Sequence, residues 1–222
     1  MKKLKLLFLG KQDDECTNKA LNYIKIAFPY VESHMGVWGD KLPESAKNWE
    51  GDIIISYLSR WVIPQFLIDN AEIAAINFHP APPSYPGIGC NNFALYNNEQ
   101  KYGVTCHHMS DTVDTGAIIQ VKEFPIFSSD NVESLLSRVY DYQLVLFFEV
   151  ISGFIIDKVF PASEETWTRK PYSRKEFDAL FEITLDMDED EVNKRIRAIS
   201  FGQYRPFIEF QGKRFSYAGK DL

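Results

Sequence analysis

The sequence predicts an α/β protein with a mainly parallel sheet, followed by a small helix and β-hairpin. Residues 4–9 and 52–57 (DIIISY) are near-continuous apolar runs of strand length, the pattern of strands buried on both faces of a parallel sheet. Between and after them lie segments with helical apolar spacing, so strand and helix alternate. Beyond a polar stretch with two prolines, FPASEETWTRKPYSRK, the pattern changes to one short helix and one hairpin.

Each element has its own signal. The first strand, 4–9, is ended by Gly10. Ala20, Leu21, Ile24, Ala27 and Phe28 share one face of a helix over 16–28, and Pro29 stops it because proline cannot continue a helix. A second strand falls within 30–38 and a third over 52–57. Residues 64–69 suit a short helix, 73–78 a strand and 91–96 a helix. Residues 102–109 and 117–124 are strands that can pair antiparallel at one side of the sheet. Asp130 with Glu133 reads as a capping box. It opens a long helix whose buried faces carry Val132, Leu135, Leu136, Val139, Val145 and Phe148, and which extends toward Asp157 unless Gly153 ends it. Asp188 with Glu191 reads as a second box, before the stripe Val192, Ile196 and Ile199. The end, RPFIEFQGKRFSYAG, alternates about Gln211 and Gly212 as a hairpin does. The expected division is a catalytic domain over 1–158, a surface connector over 159–175 and an appendage over 176–222.

Composition narrows the function. The 222 residues are 45% apolar, enough for one sizeable core. With 24 Lys and Arg against 31 Asp and Glu the net charge is −7, and no basic run is present, so a nucleic-acid partner is not expected. Cys16, Cys90 and Cys106 are odd in number and lack metal-type spacing, which fits a reducing compartment. The start, MKKLKLLFLGKQDDE, imitates a signal peptide, but its apolar part is too short and a charged segment follows. The apolar stretch LVLFFEVISGFII falls short of the ~20 residues that span a bilayer. The expectation is a soluble cytoplasmic protein with no membrane partner.

Two clusters carry chemistry. In AAINFHPAPPSYPGIG, residues 74–89, an apolar strand ends in Asn77, Phe78 and His79. Alternation puts Asn77 and His79 on one side, at the carboxyl end where open α/β sheets place ligands. Pro80, Pro82, Pro83 and Pro86 stiffen the loop that follows, while Gly87 and Gly89 permit a tight turn or close approach. In GVTCHHMSDTVDTGAII, residues 103–119, a strand with His107 runs into a loop with Asp111 and Asp114, and Gly116 allows the turn back. Taken singly, a strand-end histidine is commonly structural, and an Asp before Thr-Gly is commonly a turn residue. Together an amide, an imidazole and a carboxylate suit acyl transfer to an amine. The amide donates to a developing oxyanion, and the other two move or stabilise a proton. His107 and His108 beside Cys106 face opposite ways along a strand, so no metal is expected. Cys90 follows a glycine outside any nucleophile elbow.

These elements resemble the formyltransferase family that uses 10-formyltetrahydrofolate. The matching residues are Asn77-Phe78-His79-Pro80, Gly87, Gly103-Val104-Thr105 with His107, and Asp114-Thr115-Gly116, in order and at similar spacing over roughly residues 50–125. The resemblance implies a Rossmann-like formyltransferase core with Asn77, His79 and Asp114 as the catalytic trio. Asn77 and His79 would stabilise the tetrahedral oxyanion, Asp114 would assist proton removal, and His107 would support the Asp114 loop. It places the folate against SYLSRWVIP, at Ser59, Trp61 and Val62, with Asp111, Thr112 and Val113 on the other side. The loop after His79 is one residue shorter than the common family form and richer in proline.

The acceptor amine separates three branches of that family. The initiator-tRNA branch carries a further carboxyl-terminal barrel and a basic surface. The glycinamide ribonucleotide branch carries a phosphate-cradling Gly-Ser-Gly where this chain has Gly10-Lys11-Gln12-Asp13. The connector ETWTRKPYSRK and the tail resemble the branch that formylates nucleotide-linked amino sugars. That resemblance implies a thymidine-diphosphate 3-amino or 4-amino dideoxyhexose, for surface polysaccharide synthesis. Lys11, Gln12, Tyr85, Gly87, Asn91 and Arg205 are the candidate substrate contacts, with Lys11 and Arg205 suited to a pyrophosphate. The apolar hairpin residues Phe207, Ile208, Phe210, Phe215 and Tyr217 could form a homodimer contact or pack on their own domain. A formyltetrahydrofolate hydrolase and a non-catalytic nucleotide-sugar or folate binding module are the alternatives from other classes.

Overall fold

The computed structural model describes residues 3–219. The elements are β1 (Lys5–Lys11), α1 (Glu15–Ala27), β2 (Tyr30–Gly36), α2 (Glu44–Lys47), β3 (Gly51–Tyr57), α3 (Gln65–Ile68), β4 (Ala71–His79), α4 (Cys90–Tyr96), β5 (Lys101–His108), β6 (Ile118–Pro125) and α5 (Val132–Asp157). After them come α6 (Arg174–Ala179), α7 (Glu189–Ile199) and the hairpin of β7 (Phe207–Phe210) and β8 (Lys213–Ser216).

Six strands form one sheet in the order β2-β1-β3-β4-β5-β6. β2, β1, β3 and β4 run parallel to their neighbours, while β4–β5 and β5–β6 are antiparallel. The order reverses between β1 and β3, the switch point where such sheets open a crevice. Alternation sorts the side chains into two layers. Leu6, Phe8, Ile53, Ile55, Tyr57, Ile76 and Phe78 pack in a core with residues of α1 and α5. Leu7, Leu9, Ile54 and Ala75 pack with Ala46, Trp49 and Leu67 on the other face. This second face changes character along β4. Past Ala75 its next positions are Asn77 and His79, so a polar site continues an apolar layer.

Helix α5 corrects two expectations. Its N-cap is Asn131, in a capping box with Ser134, not Asp130 with Glu133. Asp130 is occupied elsewhere: it accepts from the Phe127 N–H at 2.7 Å and from Arg138 at 2.6 and 3.0 Å. The helix runs through Gly153 to Asp157, and a Cβ on Gly153 would meet nothing within 4 Å. Val145, expected inside, is exposed; the apolar run there is too continuous for spacing to choose a face. By length and composition α5 could cross a membrane. Here Val132, Leu135, Val139, Leu146, Phe147, Val150, Ile151 and Phe154 are buried in the sheet core.

The tail docks on the main unit through α7. Asn92 Nδ2 donates to the Ala198 carbonyl at 2.6 Å, Tyr96 Oη to Glu191 at 2.8 Å, and Arg197 Nε to the Asp130 carbonyl at 3.0 Å. Asp188 caps α7 by accepting the Glu191 N–H. The Glu191 carboxylate turns to Tyr96 and Arg195, so it is committed away from the reciprocal half of the box. In the hairpin, Gln211 and Gly212 both have positive φ, 48° and 70°, as a two-residue type I′ turn requires. Ile208 pairs with Phe215 and Glu209 with Arg214, so Phe207 lies on the face opposite Ile208, Phe210 and Phe215. There it donates its N–H to Phe181 and lies under the Arg214 guanidinium.

The Asp130–Arg138 pair gives a stability test. Although burial pushes the Asp130 carboxyl up, hydrogen bonds from Arg138, Phe127 and Ser134 outweigh it and hold the group at about 2. A depressed carboxylate contributes fully above its unfolded value of ~3.9, and that contribution is lost as pH falls through about 2. Asp130→Asn should therefore cost roughly 1–2 kcal/mol in urea unfolding at neutral pH. Its deficit should shrink as the comparison is repeated toward the acid end of that window; a constant deficit would contradict this account.

Candidate active site

Strand β4 delivers Asn77 and His79 to the polar end of the second face, and the antiparallel register sets Asn77 opposite His107 and His79 opposite Thr105. Asp114 arrives from the loop between β5 and β6. That loop doubles back tightly: a Cβ on Gly116 would lie 1.8 Å from the His108 carbonyl oxygen, so only glycine fits. Asp114 itself has φ of 52°, the left-handed region that aspartate tolerates better than most residues. The fold thus brings the whole expected trio together with His107.

The contacts define protonation. Asp114 Oδ2 lies 3.3 Å from His79 Nδ1 and accepts the Gly87 N–H at 2.9 Å, and Oδ1 lies 3.5 Å from His107 Nε2. His107 Nδ1 is 2.7 Å from the His108 carbonyl, which only accepts. His107 therefore carries its proton on Nδ1 and offers the Nε2 lone pair to Asn77 Nδ2, 3.2 Å away. The sequence assigned His107 to the Asp114 loop; its nearer task is to orient the Asn77 amide. His79 is flanked by acceptors on both sides, with the Tyr85 carbonyl 3.1 Å from Nε2. Burial pushes its imidazole below the ordinary range, and the Asp114 charge and Tyr85 carbonyl oppose this without reversing it. Burial pushes Asp114 up, but the neighbouring His79 and the Gly87 N–H bring it net below the usual carboxylate range. At neutral pH the site holds an ionised Asp114 beside a neutral His79. A neutral ring can donate to only one of its two acceptors, so the pair has room for one more proton.

The stretch 159–175 is partly a strap over this site, and sequence reasoning missed that. Trp167 Nε1 donates to the Gly116 carbonyl at 2.7 Å. Its ring lies edge-on to His107 at 5.0 Å and to His79 at 5.8 Å. Backbone bonds stitch the strap to the proline loop: Thr168 N–H to Pro83, Tyr172 N–H to Pro86, and Ile88 N–H to Tyr172. Tyr172 stacks on Phe93 at 3.7 Å. The available signal was a single tryptophan within a polar run. With the strap in place His79 and Asp114 are buried, while Asn77 remains half-buried and open to an incoming group.

The expected folate residues lie on two loops beside Asn77. Ser56 pairs with Asn77, and the loop after β3 begins with Leu58 at φ 52°. Ser59 Oγ accepts the Trp61 N–H at 3.2 Å. The Trp61 ring fills the space over Gly36, where a Cβ would come within 2.3 Å, and packs in the same apolar layer as Met109. Val62 is exposed. On the β5 side, Asp111, Thr112 and Val113 are exposed, and Ser110 and Thr115 hydroxyls both donate to the Thr112 carbonyl.

The candidate substrate residues divide. Lys11 ends β1 at the switch point, paired with Asp14 at 2.9 Å and 5.1 Å from the Tyr140 ring. Gln12 beside it is exposed. Gly87 touches Asp114, and Asn91 is half-buried in the first turn of α4. Two expectations fail. Tyr85 is buried, stacked near Tyr172, with its hydroxyl on Glu99 at 2.7 Å; the Tyr85 N–H to Pro82 turn directs the ring inward and leaves only its carbonyl at the site. Arg205 bonds the carbonyls of Gly202 and Tyr204. It lines a surface pocket with Asn131, Glu133, Ser200 and Tyr217 that contains none of the trio, because α7 carries this loop to the start of α5.

A family model described as formyl transferase matches residues 34–151. Among curated relatives, the chain is 27% identical over 194 residues to a methionyl-tRNA formyltransferase of Ehrlichia canis, a match covering 87% of this chain and 60% of that protein. It is 26% identical over 183 residues to a GDP-perosamine N-formyltransferase of Brucella melitensis, covering 81% and 69%. The chain thus spans less than two thirds of the length of the tRNA enzyme. Among solved structures, a sugar N-formyltransferase from a Shewanella species superposes with TM-score 0.77 at 20% identity, covering 97% of each chain. An N-formyltransferase from Helicobacter canadensis, in complex with folinic acid and dTDP-3-aminofucose, gives TM-score 0.71 at 22% identity over 94% and 85%. At these identities the structural likeness shows the fold.

Gly87 joins the strap, the proline loop and Asp114, so it tests the geometry directly. It has φ of 92°, and a Cβ would fall 2.5 Å from the Tyr172 carbonyl oxygen. Gly87→Ala should destabilise by ~1–3 kcal/mol and release the Thr168 and Tyr172 amides to faster hydrogen exchange. Unchanged protection at those two amides would sink the claim that Gly87 fastens the strap.

Proposed function

The chain belongs to the formyl transferase family, and we propose that it transfers a formyl group from 10-formyltetrahydrofolate to the amine of a nucleotide-linked amino-dideoxyhexose. The observation that carries this is the single constellation of Asn77, His79 and Asp114 at the carboxyl end of β4. Two features support the sugar as acceptor. The fit to the Shewanella sugar enzyme runs over 97% of both chains, and a GDP-perosamine N-formyltransferase of Brucella melitensis stands among the curated relatives. The Helicobacter enzyme was solved with folinic acid and a dTDP-amino sugar, which supports a folate donor and a dTDP-linked acceptor here.

The donor supplies the formyl carbon; the remaining work falls to this chain. Asn77, oriented by His107, presents its amide to the oxygen that becomes an anion on attack. The His79–Asp114 pair, holding room for one proton, takes the proton that the attacking amine must lose. Once protonated, His79 satisfies both its acceptors and adds positive charge beside the oxyanion. Ser59, Trp61, Val62 and the 111–113 loop are assigned to the folate. Lys11 and Gln12, at the switch point, and Gly87 and Asn91, in the segment after β4, are assigned to the nucleotide-sugar side. Cys90 and Cys106 are buried free thiols, which supports placing the reaction in the cytoplasm, supplying a surface polysaccharide. The Ile208, Phe210 and Phe215 face, with both phenylalanines about half exposed, supports a homodimer through the hairpin; a monomer by sedimentation equilibrium would remove that part.

The deciding experiment follows tetrahydrofolate release by absorbance. The reaction contains 10-formyltetrahydrofolate and thymidine-diphosphate 4-amino-4,6-dideoxyglucose, beside a no-acceptor control. Acceptor-dependent release is expected. Release in both would mean hydrolysis, and none in either would mean another amine or a binding module. Asn77→Ala should lower kcat about 10²–10³-fold with the fold intact by circular dichroism; a wild-type rate would eliminate the oxyanion role.

A further inference from the structure

Trp167 belongs to no assigned site, yet it touches both imidazoles and the turn that carries Asp114. Its N–H bonds Gly116, two residues beyond Asp114, at the end of a loop whose aspartate sits in the left-handed region. Left-handed non-glycine backbone is held by its surroundings rather than by its own preference. Its ring lies edge-on to both imidazoles, with interplanar angles of 88° at His107 and 68° at His79. Its strap neighbours Thr166 and Thr168 are exposed, so this indole reaches in alone from a solvated stretch. The strap does not need the indole to stay in place. Ser163 N–H bonds the Ile118 carbonyl before it, and Thr168 and Tyr172 bond the proline loop after it.

We propose that Trp167 is a positioning residue that holds Asp114 and His79 as one proton-accepting unit, pinning the Asp114 turn through Gly116 and screening the two imidazoles from water. The catalytic meaning rests on the formyl-transfer reading, but the positioning itself is measurable without turnover. The groups that face His79 are Asp114 from the β5–β6 loop, His107 from β5, and the Cys90 thiol from α4, with Sγ 3.9 Å from Nε2. The proline loop contributes the Tyr85 carbonyl, and the strap contributes only the uncharged indole. Water admitted on the indole's side would stabilise the charged ring, and Asp114 would favour it further. The His79 pKa would then rise from its burial-depressed position.

Two variants separate the indole's two contributions. Trp167→Ala removes ring and N–H, so His79, followed by histidine side-chain NMR across a pH titration and assigned with His79→Gln, should titrate at higher pH than in the wild type. The acidic limb of kcat/KM should move to higher pH with it, because proton acceptance requires neutral His79. Trp167→Phe keeps a ring over the imidazoles, so the His79 titration should stay near the wild-type position while kcat falls roughly tenfold at unchanged donor KM. A residue with only a structural role would lower the melting temperature of both variants and leave the His79 titration and the kcat-to-KM split unmoved; that result overturns the proposal. A shifted titration in Trp167→Ala, in a protein that turns over no acceptor, would uphold the positioning and remove the formyl-transfer reading alone. Should the alanine variant fail to fold, the phenylalanine variant decides: wild-type kcat overturns the pinning of Gly116.

Discussion

The structure turns on one buried carboxylate. An ionised Asp114 cannot be taken out of water unless the chain returns what water supplied. It does so from the Gly87 N–H and from His79 Nδ1, with the His107 ring lying against its other oxygen. Each of these three neighbours has its own requirement. Gly87 must adopt a positive φ and lie against Tyr172, which demands a stiff proline loop and a strap to close on it. His107 must spend its Nδ1 proton on a backbone carbonyl, leaving a lone pair that orients Asn77. His79 is left between two acceptors and burial, which pull its protonation in opposite directions. That opposition at His79 follows from the need to bury one charge.

The sheet makes such a site possible by changing character along one face. Leu7, Leu9, Ile54 and Ala75 form an apolar layer under α2 and α3. In the same alternation Asn77 and His79 follow Ala75 on β4. The antiparallel β5 then places Thr105 and His107 alongside, which a parallel neighbour could have done only with a crossover connection. The nine-residue β5–β6 loop, closed by Gly116, is what returns Asp114 to the site.

Much of this was legible in the residues. Continuous apolar runs marked β1 and β3 because strands buried on both faces leave no polar alternation. Asn77 and His79 stood out as polar groups ending an apolar strand, and Asp114 through its Thr-Gly turn. What stayed hidden depended on long-range placement. Tyr85 looked available in a loop, but a local turn sends its ring into the interior. Arg205 looked suited to a pyrophosphate, but the docking of α7 carries it to the start of α5. The cap of α5 was displaced by one residue because Arg138, two turns away, claims Asp130. Trp167 lies more than fifty positions from the residues it touches in β4 and β5, at a separation no local periodicity reports.

The tail also takes part in the site. A four-residue by four-residue hairpin has little stability alone, and α7 buries only Ala198 and Ile199 fully, so the order of this segment comes from its contacts with α4 and α5. Those contacts act in return on the site. The Phe177 ring of α6 lies within 2.3 Å of where a Gly89 Cβ would stand, beneath the glycine that starts α4. Gly89 is two residues from Gly87, and Gly87 donates to Asp114. The route from appendage to carboxylate is therefore continuous: α7 fixes α4, α6 fixes the turn into α4, and that turn sets the amide that holds the charge. The segment that reads as an appendage in the sequence is, by these contacts, part of the wall that keeps the buried carboxylate in place.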